Sequence, residues 1–125
     1  MIPTDLPNGR VEITISPPYA LGAVAMIPVA ISATRGSVTG PVAARIMAGG
    51  ISQGGVAAEV LVRELSVKPA VVAANTRGSS TLAWDTRDMN GTIVPADAYT
   101  LLIEVRSDDG GTTRTITASA TLDVR

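Results

Sequence analysis

The sequence predicts an all-β protein, an antiparallel β-sandwich of seven or eight strands. Hydrophobic residues make up 46% of the chain but aromatic residues only 2%, so Val, Ile, Leu, Ala and Met have to build the core. Val, Ile and the frequent Thr favour extended strands. Twelve glycines and eight prolines supply many turns without the abundance of a low-complexity chain. A length of 125 residues fits one domain.

Short apolar runs separated by turn residues mark the individual strands. The first run is the clearest, because Val11, Ile13 and Ile15 alternate with Glu12 and Thr14, which gives one buried and one solvated face. The predicted strands are, in chain order, Arg10–Ser16, Ala23–Ala33, Val42–Ala48, Val56–Val67, Val71–Ala74, Thr81–Asp85, Tyr99–Arg106 and Thr113–Val124.

Three of these segments have features that qualify the prediction. In Val56–Val67 the pair Glu59 and Arg63 has helical spacing, although the Val and Leu residues favour a strand. The segment Val71–Ala74 is either a short strand or a crossover. Pro28 in the second strand predicts an edge position or a bulge, because proline donates no backbone hydrogen bond.

The last two strands form the clearest hairpin. Its tip, Ser107–Gly111, is rich in residues that accept left-handed turn geometry.

The first nine residues are predicted to form an N-terminal arm, and residues 10–125 the sandwich domain. Ile2, Pro3, Leu6 and Pro7 are apolar residues with no evident place in the core of their own chain. We therefore expect the arm to lie across an adjacent subunit, with contacts that bury more than about 1,000 Å² in total.

Composition and charge argue against several classes of function. The chain contains no His and no Cys, so it lacks the usual general base, the thiolate nucleophile and the commonest transition-metal ligands. Its net charge is −1 and its ten basic residues are scattered, which does not fit a nucleic-acid partner. The longest apolar stretch, Leu21–Ile31, is too short to span a membrane. We expect no enzyme, no cofactor and no nucleic-acid or membrane partner.

Residues 84–101 contain the one specific motif, Trp-Asp-Thr-Arg-Asp-Met-Asn-Gly-Thr-Ile-Val-Pro-Ala-Asp-Ala-Tyr-Thr-Leu. It resembles the Ig-like domain family of the flagellar hook-capping protein, which also occurs in many bacterial surface and secreted proteins. The family pattern is Trp-Asp-Gly, an acidic or amide residue, Gly, and then Val-Pro-x-Gly-x-Tyr. The resemblance covers about Pro41–Arg106 and implies an immunoglobulin-like topology with a strand at Val60–Leu65. The matching residues are Trp84, Asp85, Asp88, Gly91, Val94, Pro95 and Tyr99.

The motif has a structural interpretation. Trp84 is expected to be the largest buried side chain, and Tyr99 to bury its ring while its hydroxyl binds a backbone group. Asp85 accepts from loop N–H groups, Gly91 completes a tight turn after Asn90, and Pro95 fixes the return path. Two residues depart from the family pattern: Thr86 and Asp97 stand where glycine is usual. Because left-handed geometry strains a β-branched residue, the turn at Thr86 is predicted to differ.

Several acidic groups are weak candidates for a ligand or catalytic site. Asp88, Asn90 and Asp97 fall at positions 3, 5 and 12 of a calcium-loop pattern, with Asp85 nearby, but Thr86 occupies the first ligand position. We therefore predict no metal. Asp108 and Asp109 with Asp123 form a second weak acidic cluster. The triplet Asn90–Thr92 is a formal glycosylation sequon. Glu59, Glu64 and Glu104 are expected on separate solvated faces rather than as a glycosidase pair.

An apolar surplus bears most directly on function. Mean hydropathy is +0.31 with only 17% charged residues, and exposed apolar surface usually marks an interface. We therefore expect a structural subunit that binds other protein subunits of a virion, as a capsid decoration or tail protein, or of a filament. The alternative is a binding or spacer module of a bacterial surface or secreted protein.

Overall fold

The computed structural model describes residues 2–51 and 57–125. Over these residues the chain forms nine β-strands and no helix, so the all-β prediction is confirmed. Within this part of the chain no helix is long and apolar enough to cross a membrane. The strands are β1 (Ile2–Leu6), β2 (Gly9–Ile13), β3 (Ala25–Ala33), β4 (Ser37–Ile51), β5 (Ala57–Leu65), β6 (Ala70–Ala73), β7 (Thr76–Trp84), β8 (Asp97–Asp109) and β9 (Thr112–Val124).

The strands form two antiparallel sheets around one core, an arrangement consistent with a β-sandwich. One sheet has the order β1-β2-β3-β7; the other has the order β5-β4-β8-β9, with β6 paired to β4. Buried and exposed side chains alternate along β3, as expected for a strand with one face on the core. The largest fully buried side chains are Trp84, Ile13, Ile27, Ile46, Leu101, Ile103 and Leu122.

Both ambiguous segments are strands, and the expectation for Pro28 is wrong. Residues 57–65 pair with β4 as β5, and residues 70–73 pair with β4 as β6. Pro28 lies in β3, an interior strand between β2 and β7. Its carbonyl accepts from the N–H of Thr14, just after β2 ends. The missing donor therefore costs only the last hydrogen bond of that ladder.

The N-terminal residues belong to the first sheet. β1 pairs with β2 through the register Ile2↔Ile13 to Leu6↔Gly9, and Leu6 is buried in the core at 8% exposure. The expectation that Leu6 has no place in its own core is therefore wrong, because the turn after it folds β1 back onto β2. Ile2 keeps 36% exposure. A role of this segment in subunit contacts stays a prediction.

Asn8, in the turn between β1 and β2, is fully buried. Its Nδ2 lies 2.9 Å from the carbonyl of Arg35, 3.0 Å from that of Ser37 and 2.9 Å from that of Asp108. Its Oδ1 accepts from the hydroxyl of Ser107 at 2.6 Å. One amide side chain thus ties the β1–β2 turn of the first sheet to β4 and β8 of the second sheet. Removing residues 1–8 would therefore leave these buried groups without partners.

The β8–β9 hairpin is longer and its turn tighter than the sequence predicts. The two strands stay paired as far as Asp109↔Thr112, so the turn is only Gly110-Gly111, both at positive φ. Two consecutive left-handed residues are the requirement of a two-residue hairpin turn of type I′, and glycine meets it at the lowest cost.

Candidate interaction surface

The motif of residues 84–101 forms a corner that joins β7 to β8. Trp84 is 1% exposed and Tyr99 3% exposed, and their rings meet edge to face with centroids 5.4 Å apart. The indole N–H donates to the carbonyl of Arg87 at 3.0 Å. The hydroxyl of Tyr99 donates to the carbonyl of Pro95 at 2.6 Å. The predicted burial of both rings and the predicted backbone partner of Tyr99 are present.

The carboxylates of this loop bind its own backbone. Asp85 Oδ1 accepts from the N–H of Arg87 at 3.1 Å. Asp88 Oδ1 accepts from the N–H groups of Asn90 and Thr92 at 2.9 and 3.0 Å, which is an Asx-type turn. Asp97 is the first residue of β8 and accepts from the adjacent N–H of Ala98 at 2.8 Å. The three carboxylates among the weak calcium candidates therefore bind backbone N–H groups close to them in sequence.

In the described part of the chain, no three acidic side chains come together in a way that could hold a metal ion. The second acidic cluster does not form either. Asp108 and Asp109 lie at the tip of the β8–β9 hairpin, where Asp108 binds the hydroxyl of Thr113 and Asp109 binds Arg35. Asp123 lies at the opposite end of β9, across from Ala98.

Two of the three glutamates lie closer together than expected, with a cation between them. Arg45 on β4 donates from Nη1 to Glu104 Oε1 at 2.8 Å, and its Nε lies 3.8 Å from Glu64 Oε1. The hydrogen bond and the charge of Glu104 raise the pKa of Arg45. Since a glycosidase needs one carboxyl to donate a proton and the other to act as base or nucleophile, a permanent cation between Glu64 and Glu104 opposes that use. The side chain of Glu59 lies outside the described part.

Thr86 has left-handed backbone geometry, although the turn there was predicted to differ because that geometry strains a β-branched residue. Its φ is 58°, a left-handed conformation that costs a β-branched residue strain. Compensation comes from its hydroxyl, because Thr86 is fully buried and its Oγ1 accepts from the N–H of Gly22 at 2.8 Å. That hydrogen bond joins the loop of residues 14–24 to the corner loop. A glycine could not make it.

Strand β5 supplies the third support of the corner. The N–H of Met89 donates to the carbonyl of Val62 at 3.1 Å, and Arg63 Nη1 donates to the carbonyl of Asp88 at 2.9 Å. Arg63 Nη2 also lies 3.8 Å from Asp85 Oδ2. Sequence reasoning missed this arginine, because its helical spacing to Glu59 suggested a local partner instead of a loop 25 residues further on.

Large apolar side chains are exposed on the two joined loops. Leu21 and Val24 lie on the first loop, with 40% and 57% exposure, and Met89 and Ile93 on the second, with 61% and 43%. A Cβ on Gly22 would come within 3.6 Å of Ile93 Cδ1, so Ile93 sits over the first loop. Val24 borders an open cleft of about 360 Å³ that Arg63 and Trp84 also line. We call Leu21, Val24, Met89 and Ile93 the corner patch.

Two sequence comparisons with known proteins found no relative. No family model matches the chain, and no curated protein matches its sequence. The resemblance of residues 84–101 to the hook-capping family therefore stays a prediction from the residues themselves.

The contribution of Tyr99 to the stability of the folded protein should be lost at alkaline pH. Burial, with a smaller contribution from the charge of Asp97, raises the pKa of Tyr99 above its ordinary value. The protonated phenol is thus favoured in the folded state, and its contribution is complete below about pH 10 and lost as the pH rises through the folded pKa. Relative to Tyr99→Phe, which lacks the hydrogen bond to Pro95, the unmodified chain should be more stable by about 1 kcal/mol at pH 8. That advantage should shrink above pH 10.

Denaturant unfolding of both proteins from pH 8 to 11 measures this difference. The other titrating groups are the same in both proteins, so their contributions cancel in this difference. In a Tyr19→Phe background, Tyr99 is the only tyrosine, so phenolate absorbance reads its ionisation directly. An advantage that stays constant across the whole pH range would contradict the assignment.

Proposed function

We propose that this protein is a non-catalytic structural subunit that assembles through protein–protein contacts in a virion, as a capsid decoration or tail protein, or in an extracellular filament. The corner patch is the observation that carries the proposal. Its four side chains are not part of the buried core. The loops that carry them are held by Thr86, Arg63 and the Trp84–Tyr99 contact. A rigid apolar surface binds a partner at a low cost in conformational entropy.

The same proposal includes an immunoglobulin-like topology. Three features support it: one sheet contains β2-β3-β7 and the other β5-β4-β8-β9, Tyr19 bridges to Val124 in parallel so that the chain after β2 joins the second sheet, and the hydroxyl of Tyr99 closes a corner before β8 in the manner of a tyrosine corner. Such a sandwich is a scaffold that hosts many functions, so the fold alone does not choose among them.

The chemistry of the surface favours protein partners over catalysis. Acidic groups such as Asp88, Asp109 and Glu104 are engaged by backbone N–H groups or by arginines, and the chain has no His or Cys. We propose neither a cofactor nor a nucleic-acid or membrane partner. The alternative, a binding or spacer module of a bacterial surface or secreted protein, rests on the resemblance of the corner motif and predicts a monomer.

Replacing two corner-patch residues tests the proposal. Val24→Ser with Met89→Ser removes apolar surface from both loops without touching the core. Fully burying one such side chain at an interface contributes about 1.5–3 kcal/mol, so the association constant should fall by about tenfold or more. Sedimentation velocity over a concentration series measures it, and thermal unfolding checks that the fold is retained.

Val71→Ser is the matched control, because Val71 is 70% exposed on β6 and outside the corner patch. It should associate as the unmodified chain does. Equal association of the corner double variant and the unmodified chain would remove the corner patch from the proposed interface.

A further inference from the structure

The outer edge of β9 is the longest strand edge of the described sheets, although β1 lies beside part of β9. Native edge strands are usually blunted by shortness, proline, lysine or bulges. Here β1 contains Pro3, β5 pairs with β4 across a register shift, and β7 contains Gly78 and lies beside β6. Strand β9 runs for 13 residues with no proline, glycine or lysine, and its pairing with β8 is continuous from end to end.

The direction of the backbone groups on β9 follows from its contact with Tyr19. The carbonyl of Asp123 accepts from the N–H of Tyr19, and the N–H of Arg125 donates to the carbonyl of Tyr19. The backbone N–H and carbonyl groups of residue 123 therefore point away from β8. Because the register has no shift, every second residue before it points the same way. Beyond the Tyr19 contact, these outward residues are Thr113, Thr115, Thr117, Ser119 and Thr121.

The row formed by these five residues has the same chemistry in either direction along β9, because each residue carries a hydroxyl on the exposed face of the sheet. We propose that this edge binds a second copy of the chain, with β9 antiparallel to β9 about a two-fold axis at Thr117. The proposal rests on the proposed assembly function and names one of its contacts. A two-fold contact requires a self-complementary surface, and the hydroxyl row meets that requirement.

The pairing leaves no like charges opposed. An axis at Thr117 places Thr113 opposite Thr121, Thr115 opposite Ser119, and Arg114 opposite Ala120. Thr–Thr and Thr–Ser pairs across antiparallel strands are favourable. Five outward pairs, each exchanging two backbone hydrogen bonds, would give about ten across the dimer. The corner patch is formed by different residues, so the two surfaces allow an assembly to extend beyond the dimer.

A cysteine at the axis tests the geometry directly. The chain has no cysteine of its own. Directly opposed residues of a hydrogen-bonded antiparallel pair have Cα atoms about 5.5 Å apart, within the range a disulfide needs. Under mild oxidation, Thr117→Cys should form a covalent dimer quickly. Thr81→Cys, on the exposed face of β7, is the matched control and should cross-link only at the slow rate of random collision.

A charge exchange tests the occupant. Thr117→Lys and Thr117→Glu each place like charges together at the axis, so each alone should dimerise about tenfold more weakly or worse. Mixing the two should restore the dimer, which only pairing of two copies explains. Thr81→Lys controls for the added charge, and thermal unfolding checks the fold.

The outcomes separate the two proposals. If the unmodified chain is monomeric at every concentration, the assembly function and the edge pairing both fail. If it associates but Thr117→Cys cross-links no faster than Thr81→Cys, or if mixing restores nothing, the edge pairing alone is overturned.

Discussion

Replacing Asn8 with Asp should destabilise the protein by about 4 kcal/mol or more, since it leaves a carboxylate unpaired in the interior. The change is nearly isosteric, so packing is conserved. It removes the donor that faces the carbonyls of Arg35, Ser37 and Asp108 and sets a charged oxygen against them. The free energy of unfolding, measured with denaturant at pH 7, reports the loss.

The pH dependence of this variant gives a second readout. Burial raises the pKa of the new carboxyl above that of the unfolded chain, so the deficit should shrink as the pH falls from 7 towards about 4, below which the group is protonated in both states. Asn90→Asp is the matched control, because Asn90 is exposed in its turn, and it should change stability by less than about 0.5 kcal/mol. Equal melting of the two variants would contradict the role given to Asn8.

Replacing Trp84 with Ala should cost about 3–5 kcal/mol through the cavity left in the core. Trp84 is the only tryptophan of the chain, and it meets Tyr99 edge to face. Trp84→Phe should cost less, since it keeps an aromatic ring and loses mainly the hydrogen bond to Arg87. Far-UV circular dichroism during denaturation follows all three proteins without the tryptophan signal. A Trp84→Ala variant that melts within a few degrees of the unmodified chain would refute the central place of this residue.

Local patterns predicted much of the fold. Strict alternation located β2, and turn residues located the β8–β9 hairpin, because both depend on neighbours in sequence. The burial of Trp84 and Tyr99 was predictable since so few other large side chains compete for the core.

Features that depend on distant partners escaped prediction. Asn8 binds carbonyls between 27 and 100 residues away, so a short polar turn gave no sign of burial. Pro28 was expected at an edge or a bulge, because the sequence around it does not show that β2 ends beside it. Thr86 keeps left-handed geometry through a hydrogen bond to Gly22, a partner 64 residues away. The corner patch shows the same limit: composition indicated surplus apolar surface but could not say that part of it lies on two distant loops joined by a hydrogen bond.

The mass of the unmodified chain in solution tests the account most directly. Sedimentation equilibrium from low to high micromolar concentration should show a weight-average mass that rises above 12.7 kDa as subunits associate. A mass that stays at 12.7 kDa over the whole range would contradict the proposed assembly function and would favour the spacer module.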